Sequence, residues 1–150
     1  MTTRLMILCH AATAATRAGR FPADEELETN AIEAAATLAG RLPRFDRVLA
    51  DHSRRTQQTA TALALTAEAS ADLDDCDFGC WRGRSLAEVA AEQPAEFGVW
   101  LSDPEAAPHG GESIATLIRR VGAWLDTATG ERSIISITHP AVARAASVHA

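Results

Sequence analysis

Lysine is absent, and all 14 basic residues are arginine. Every fixed positive charge is therefore a planar guanidinium, better suited than an ammonium to bidentate phosphate recognition. Positive charge as a whole is in deficit, since 20 acidic residues leave a formal charge of −6. Such a surface repels nucleic acid and anionic membranes, so neither is an expected partner, although an acidic protein can hold a locally basic pocket. No apolar run approaches the roughly 18 residues needed to cross a bilayer. The N-terminal stretch does not read as a secretory signal, because only Leu5 to Leu8 are strongly apolar and His10 interrupts the would-be core. Cysteine is scarce and odd in number (Cys9, Cys76, Cys80), which argues against a disulfide framework and fits a reducing, cytoplasmic location. The histidines form no H-x-x-x-H pair and the cysteines no C-x-x-C, so no metal or other cofactor is expected. Repeats, low-complexity tracts and linkers are missing too.

What is present is an ordinary globular composition, 47% hydrophobic and 23% charged over 150 residues, enough for one domain with a proper core. Two short apolar runs stand out. Residues 4–9 end in His10 and open into a small-residue loop carrying Thr13; Ser133 to Thr138 end in His139 and Pro140. Buried strands that stop at a polar loop are where open α/β sheets place their chemistry. Between them the pattern predicts a helix over 25–40 capped by Asp24, a strand at Val48 to Ala50, and a helix from Arg54 to Glu68. An ordered loop follows over 75–84. Further helices are expected from Ser85, Pro94, Ser113 and Pro140, the first opened by a capping box. Strands alternating with helices predict an α/β domain with a mostly parallel sheet covered on both faces. The Arg54-Arg55 pair sits against the positive end of a helix dipole, a mismatch best tolerated where an anion binds.

These segments, taken in order, resemble the histidine phosphatase superfamily, branch 1. Leu8-Cys9-His10-Ala11 stands where that family carries Leu-Arg-His-Gly. Asp51 to Ala60 resembles its Ser-Pro-Leu-x-Arg-Ala-x-Gln-Thr-Ala, and Asp75 to Gly83 its Glu-x-x-Phe-Gly-x-Trp-Glu-Gly. Gly110-Gly111-Glu112-Ser113 and Thr138 to Ala145 complete the series. The resemblance implies a three-layer α/β/α, phosphoglycerate-mutase-like fold over residues 1–150. It also implies a metal-independent phosphomonoesterase acting on a small phosphorylated metabolite. In that scheme His10 takes the phosphoryl group, Arg55 and His139 clamp its oxygens, and Asp75 protonates the leaving oxygen. Cys9, Thr13, Arg17 and Arg82 are the further expected substrate-binding positions. The Gln-Thr-Ala segment reads as helix packing.

Three departures from the family pattern matter. Cys9 replaces the cation before the nucleophile, and one lost donor is worth about 3 kcal/mol of transition-state stabilisation. Arg17, Arg20, Arg82 and Arg84 are candidates to swing a guanidinium into that place. Asp75 is one methylene shorter than glutamate, and Arg82 replaces a glutamate. Cys9 and Asp75 support a second expectation, a family member that binds a phosphorylated ligand, inorganic phosphate or a partner without turnover. The spacing excludes a cysteine phosphatase, since the Cys-x5-Arg loop would need arginine at Ala15. Cys9 instead reads as a small buried strand-end residue.

Overall fold

The structure, a computed structural model, describes residues 2–128, 130 and 133–150. Four strands form one parallel sheet: β1 (Arg4–Cys9), β2 (Arg47–Ala50), β3 (Glu68–Ala69) and β4 (Ser133–Thr138), in the order β1-β4-β2-β3. Strand β4 lies between β1 and β2 and is buried at every residue after Ser133, as a strand covered on both faces must be. The register pairs Cys9 with Thr138, so β1 and β4 end together and deliver His10 and His139 side by side. Helices α2 (Thr29–Ala36) and α3 (Arg54–Ala62) pack on one face, where Ala60, Leu63 and Ile137 share a core with Leu8 and Ala35. Helices α6 (Ile114–Thr127) and α7 (Pro140–His149) cover the other, through Val121, Leu117, Val142 and Ala145. This is the expected α/β/α layering.

The remaining helices are α1 (Ala14–Arg17), α4 (Leu86–Glu92) and α5 (Pro94–Ser102). Beside them Phe21, Phe78, Trp81, Phe97 and Trp100 form an aromatic cluster, with ring centroids 5.1 to 6.5 Å apart. Trp81 is fully buried and its indole N–H donates to Gln93 Oε1 at 2.8 Å, so the ring carries no unpaired polar atom inward. The Phe-Gly and Gly-Gly segments lock together. Cys80 N–H donates to the His109 carbonyl at 3.0 Å, and Glu112 N–H to the Asp77 carbonyl at 2.7 Å. A Cβ on Gly79 would collide with the His109 carbonyl, and Gly79 also sits at φ +50°. That contact and that φ demand glycine.

Three local expectations are corrected. The helix expected over 25–40 is only Thr29–Ala36, and Asp24 does not cap it; Asp24 Oδ1 accepts from Arg54 N–H at 2.9 Å, capping α3 across 30 residues of chain. The helix expected from Arg54 to Glu68 stops at Ala62, because Ala64 turns left-handed at φ 57° and the chain then enters β3. Cys9 is exposed, not buried, since β1 lies at the sheet edge and Cys9 ends it. Among the described residues, no helix is long and apolar enough to cross a membrane.

Candidate active site

His10 follows β1 directly, and its backbone N–H extends the ladder by donating to the Thr138 carbonyl at 2.9 Å. Its ring Nδ1–H donates to the Ala11 carbonyl at 2.7 Å, which fixes the tautomer and leaves the lone pair on Nε2. Burial pushes the His10 pKa below 6.5; the Ala11 bond and Asp75 oppose this, while His139 and Arg55 add to it. The lowered pKa favours the neutral ring, and the Ala11 bond leaves its lone pair on Nε2. The loop is held by Thr59 of α3, whose Oγ1 accepts from Ala11 N–H at 3.0 Å and donates to the Arg55 carbonyl at 2.7 Å. Thr59 thus does more than the helix packing read from the sequence.

Opposite His10 stand two buried cationic or potentially cationic groups. Arg55, in the first turn of α3, donates through Nη1 to the Ala23 carbonyl at 2.6 Å and through Nη2 to Asp75 Oδ2 at 2.9 Å. His139 caps α7 and is fully buried, with its ring centroid 5.3 Å from that of His10. Its Nδ1 lies 3.6 Å from Asp75 Oδ2, beyond a hydrogen bond. Asp75 also accepts from Cys76 N–H at 2.8 Å. Two polar nitrogens are left over: among the described residues, Arg55 Nε–H and His139 Nδ1 are buried with no hydrogen-bond partner, and Nδ1, with Nε2–H given to Asp51, is a donor only in the doubly protonated ring. Such atoms are costly to leave unpaired. The first turn of α7 borders the His10 cavity through Pro140 and Ala141, which puts the positive end of its helix dipole beside it.

Asp51 was missed in the sequence. It ends β2 as His10 ends β1, and its Oδ2 accepts from His139 Nε2 at 2.8 Å. Its Oδ1 accepts from Ser53 Oγ at 2.8 Å and from Thr56 Oγ1. Burial resists ionisation of Asp51, but His139, Thr56 and Ser53 overcome it and hold its pKa down at about 2. A carboxylate at a strand end was the available signal; only the fold brings it to a histidine 88 residues away.

The structure brings His10, Arg55, Asp75 and His139 together and leaves other expected residues aside. Thr13 is fully buried as the N-cap of α1, forming a capping box with Thr16. Arg17 is committed to Glu28 at 2.6 Å, Arg82 to Asp77 at 3.1 Å, and Arg84 to Glu92. Each is held by a nearby carboxylate on its own surface, so none occupies the place beside Cys9. Arg20 does reach the His10 cavity, as does Arg144, which sequence reasoning did not single out. Its signal was helical spacing, one turn past Pro140 on α7.

A model of the histidine phosphatase superfamily, branch 1, matches residues 5–150. The chain belongs to that superfamily. Among its relatives, a bifunctional protein of Mycobacterium tuberculosis is 34% identical over 128 residues, covering 79% of this chain and 35% of the relative. The histidine phosphatase chain thus spans about a third of that relative's length. Glucosyl-3-phosphoglycerate phosphatase of M. tuberculosis is 27% identical over 157 residues, covering 91% of the chain and 70% of the relative. A putative alpha-ribazole-5'-P phosphatase from Escherichia coli superposes with a TM-score of 0.82 at 25% identity, over 95% of this chain and 76% of that one.

Proposed function

We propose that the protein is a phosphomonoesterase that works through a phosphohistidine at His10, on a small phosphorylated metabolite. One observation carries the reading. Arg55 Nε and His139 Nδ1, buried and unpaired, flank a neutral histidine with a free Nε2. The unpaired Arg55 Nε–H, and a His139 Nδ1 that donates once the ring takes a second proton, suit the oxygens of a phosphoryl group beside a nucleophile. Relatives named as phosphatases of glucosyl-3-phosphoglycerate and of alpha-ribazole-5'-P support the reaction class.

In the first step His10 Nε2 attacks phosphorus, an N–P bond forms, and the P–O bond to the leaving group breaks. The leaving oxygen takes a proton from Asp75. Water then attacks the phosphohistidine, giving its proton to the Asp75 carboxylate and releasing phosphate and free His10. Asp75 is ion-paired to Arg55 at 2.9 Å. The incoming phosphoryl oxygens compete for that guanidinium and loosen the pair, so substrate itself frees Asp75 for its acid role. Asp51 keeps His139 oriented throughout.

The same Arg55–Asp75 pair favours a second reading, a protein that binds phosphoryl groups without turning them over. Hydrolysis of a generic aryl phosphate separates the two. The wild type should release the phenol, and His10→Ala should reduce the rate to background, a loss of at least about 10³-fold. A wild type that binds phosphate yet shows no turnover would establish the second reading.

A further inference from the structure

We propose that Arg144 supplies the cation of the phosphoryl pocket, reaching from the second turn of α7 into the cavity beside His10. This rests on the phosphoryl-group reading of the site, whether or not turnover follows.

The charges already assembled there do not favour a dianion. Arg55 is offset by Asp75, and His139 faces Asp51. A phosphate monoester carries nearly two negative charges at neutral pH, so at least one further positive group must face it. The cavity at His10, about 160 Å³, is lined by two more arginines, Arg20 and Arg144, together with Asp75 and Ala141. Arg20 is engaged elsewhere: its Nη1 donates to the Gly83 carbonyl at 3.0 Å and lies 3.5 Å from Glu88 Oε2. Arg144 has no hydrogen bond or ion pair with any described residue.

Two further observations place its charge. Partial desolvation at the end of β1 raises the pKa of the largely exposed Cys9 thiol, and Arg144 is the cation that opposes the rise, which sets the guanidinium near that strand end. Arg144 also lines an apolar groove with Phe78, Trp100 and Ala141. A long side chain bordering both surfaces lays its methylenes on the apolar one and its head in the polar one. The N-terminal N–H groups of α7 favour an anion at the same point.

The test uses the full chain with Arg144→Gln and Arg144→Lys, and Arg119→Ala as a control on an exposed arginine paired to Glu105. Inorganic phosphate binding is measured by calorimetry and aryl phosphate hydrolysis by initial rates. Arg144 is exposed, so thermal unfolding of the variants should match the wild type and any loss belongs to the site. Arg144→Gln should weaken phosphate binding at least about tenfold and lower kcat/KM by about 100-fold. Arg144→Lys should recover part of both. Arg144→Gln indistinguishable from Arg119→Ala overturns the assignment while leaving the hydrolase reading intact. A wild type that binds phosphate without hydrolysis, with binding lost in Arg144→Gln, upholds Arg144 and removes the hydrolase reading. Neither binding nor hydrolysis in the wild type overturns both.

Discussion

Asp51 ionises in a place that resists charge. Its carboxyl is nearly enclosed, yet three donors hold the pKa near 2, well under the ordinary 3.8. A carboxyl with a depressed folded pKa stabilises the protein above its unfolded pKa, and that contribution is lost as pH falls from about 3.8 to about 2. The shift corresponds to about 2 kcal/mol. Asp51→Asn should therefore cost about 2 kcal/mol in urea unfolding at pH 7, and the cost should shrink towards zero as the medium approaches pH 2. Its effect on catalysis is separate. Without the carboxylate, the His139 ring loses the partner that orients it, and kcat should fall by about 100-fold with KM little changed. Equal stability of wild type and Asp51→Asn at pH 7 would contradict the hydrogen-bonding scheme. At this scale the sequence was informative about convergence: His10, Arg55, Asp75 and His139 were picked from their motifs, and the fold brings them together. Asp51 lay inside one of the same strings without a role, because its partner His139 is set by how β2 and β4 come together.

Elements were legible where their signals are local. The capping box at Ser85 and Glu88 and the cap at Ser113 are formed by residues three apart, and both helices start where the sequence says. Asp24 shows the limit, since a cap can be lent to a helix far along the chain and no local pattern reveals it. The end of α3 was missed for a related reason. Ala64 in the left-handed region costs about 1 kcal/mol, and only the need to enter β3 justifies it. Glycines give the contrast that tests this view. Gly79→Ala places a methyl against the His109 carbonyl at a positive φ, so it should destabilise by about 2–3 kcal/mol and loosen the two motif loops. Gly98 lies inside α5 with open space around it, so Gly98→Ala should stabilise by about 0.5–1 kcal/mol. Chemical denaturation of both variants reads the two signs directly; similar small effects from both would mean the loops do not press on each other.

For the molecule as a whole, the buried titratable groups predict a stability plateau with one step on its alkaline side and two on its acid side. Cys76 is pushed up to about 12 from 9.0, by burial and by the nearby carboxylates of Glu112, Asp75 and Asp77 against the pull of Arg120. The unfolded thiol ionises first, so stability falls as pH rises from 9.0 towards 12. His10 and His109 are both held below 6.5, chiefly by burial. The unfolded chain then binds more protons than the folded one, and stability falls as pH drops below 6.5. The Asp51 step follows at lower pH. His10, the proposed nucleophile, shares this linkage, which would join stability to activity. Since free His10 must be neutral to attack, the acid limb of kcat/KM should lie below pH 6.5, at the folded-state pKa of His10. His10→Gln removes one of the two histidines from the first acid step. Urea unfolding of that variant should therefore lose less stability between pH 7 and pH 5 than the wild type does. Parallel stability curves for the two proteins, together with an acid limb above pH 6.5, would place the proton on His10 in the folded state and remove it as a nucleophile at neutral pH.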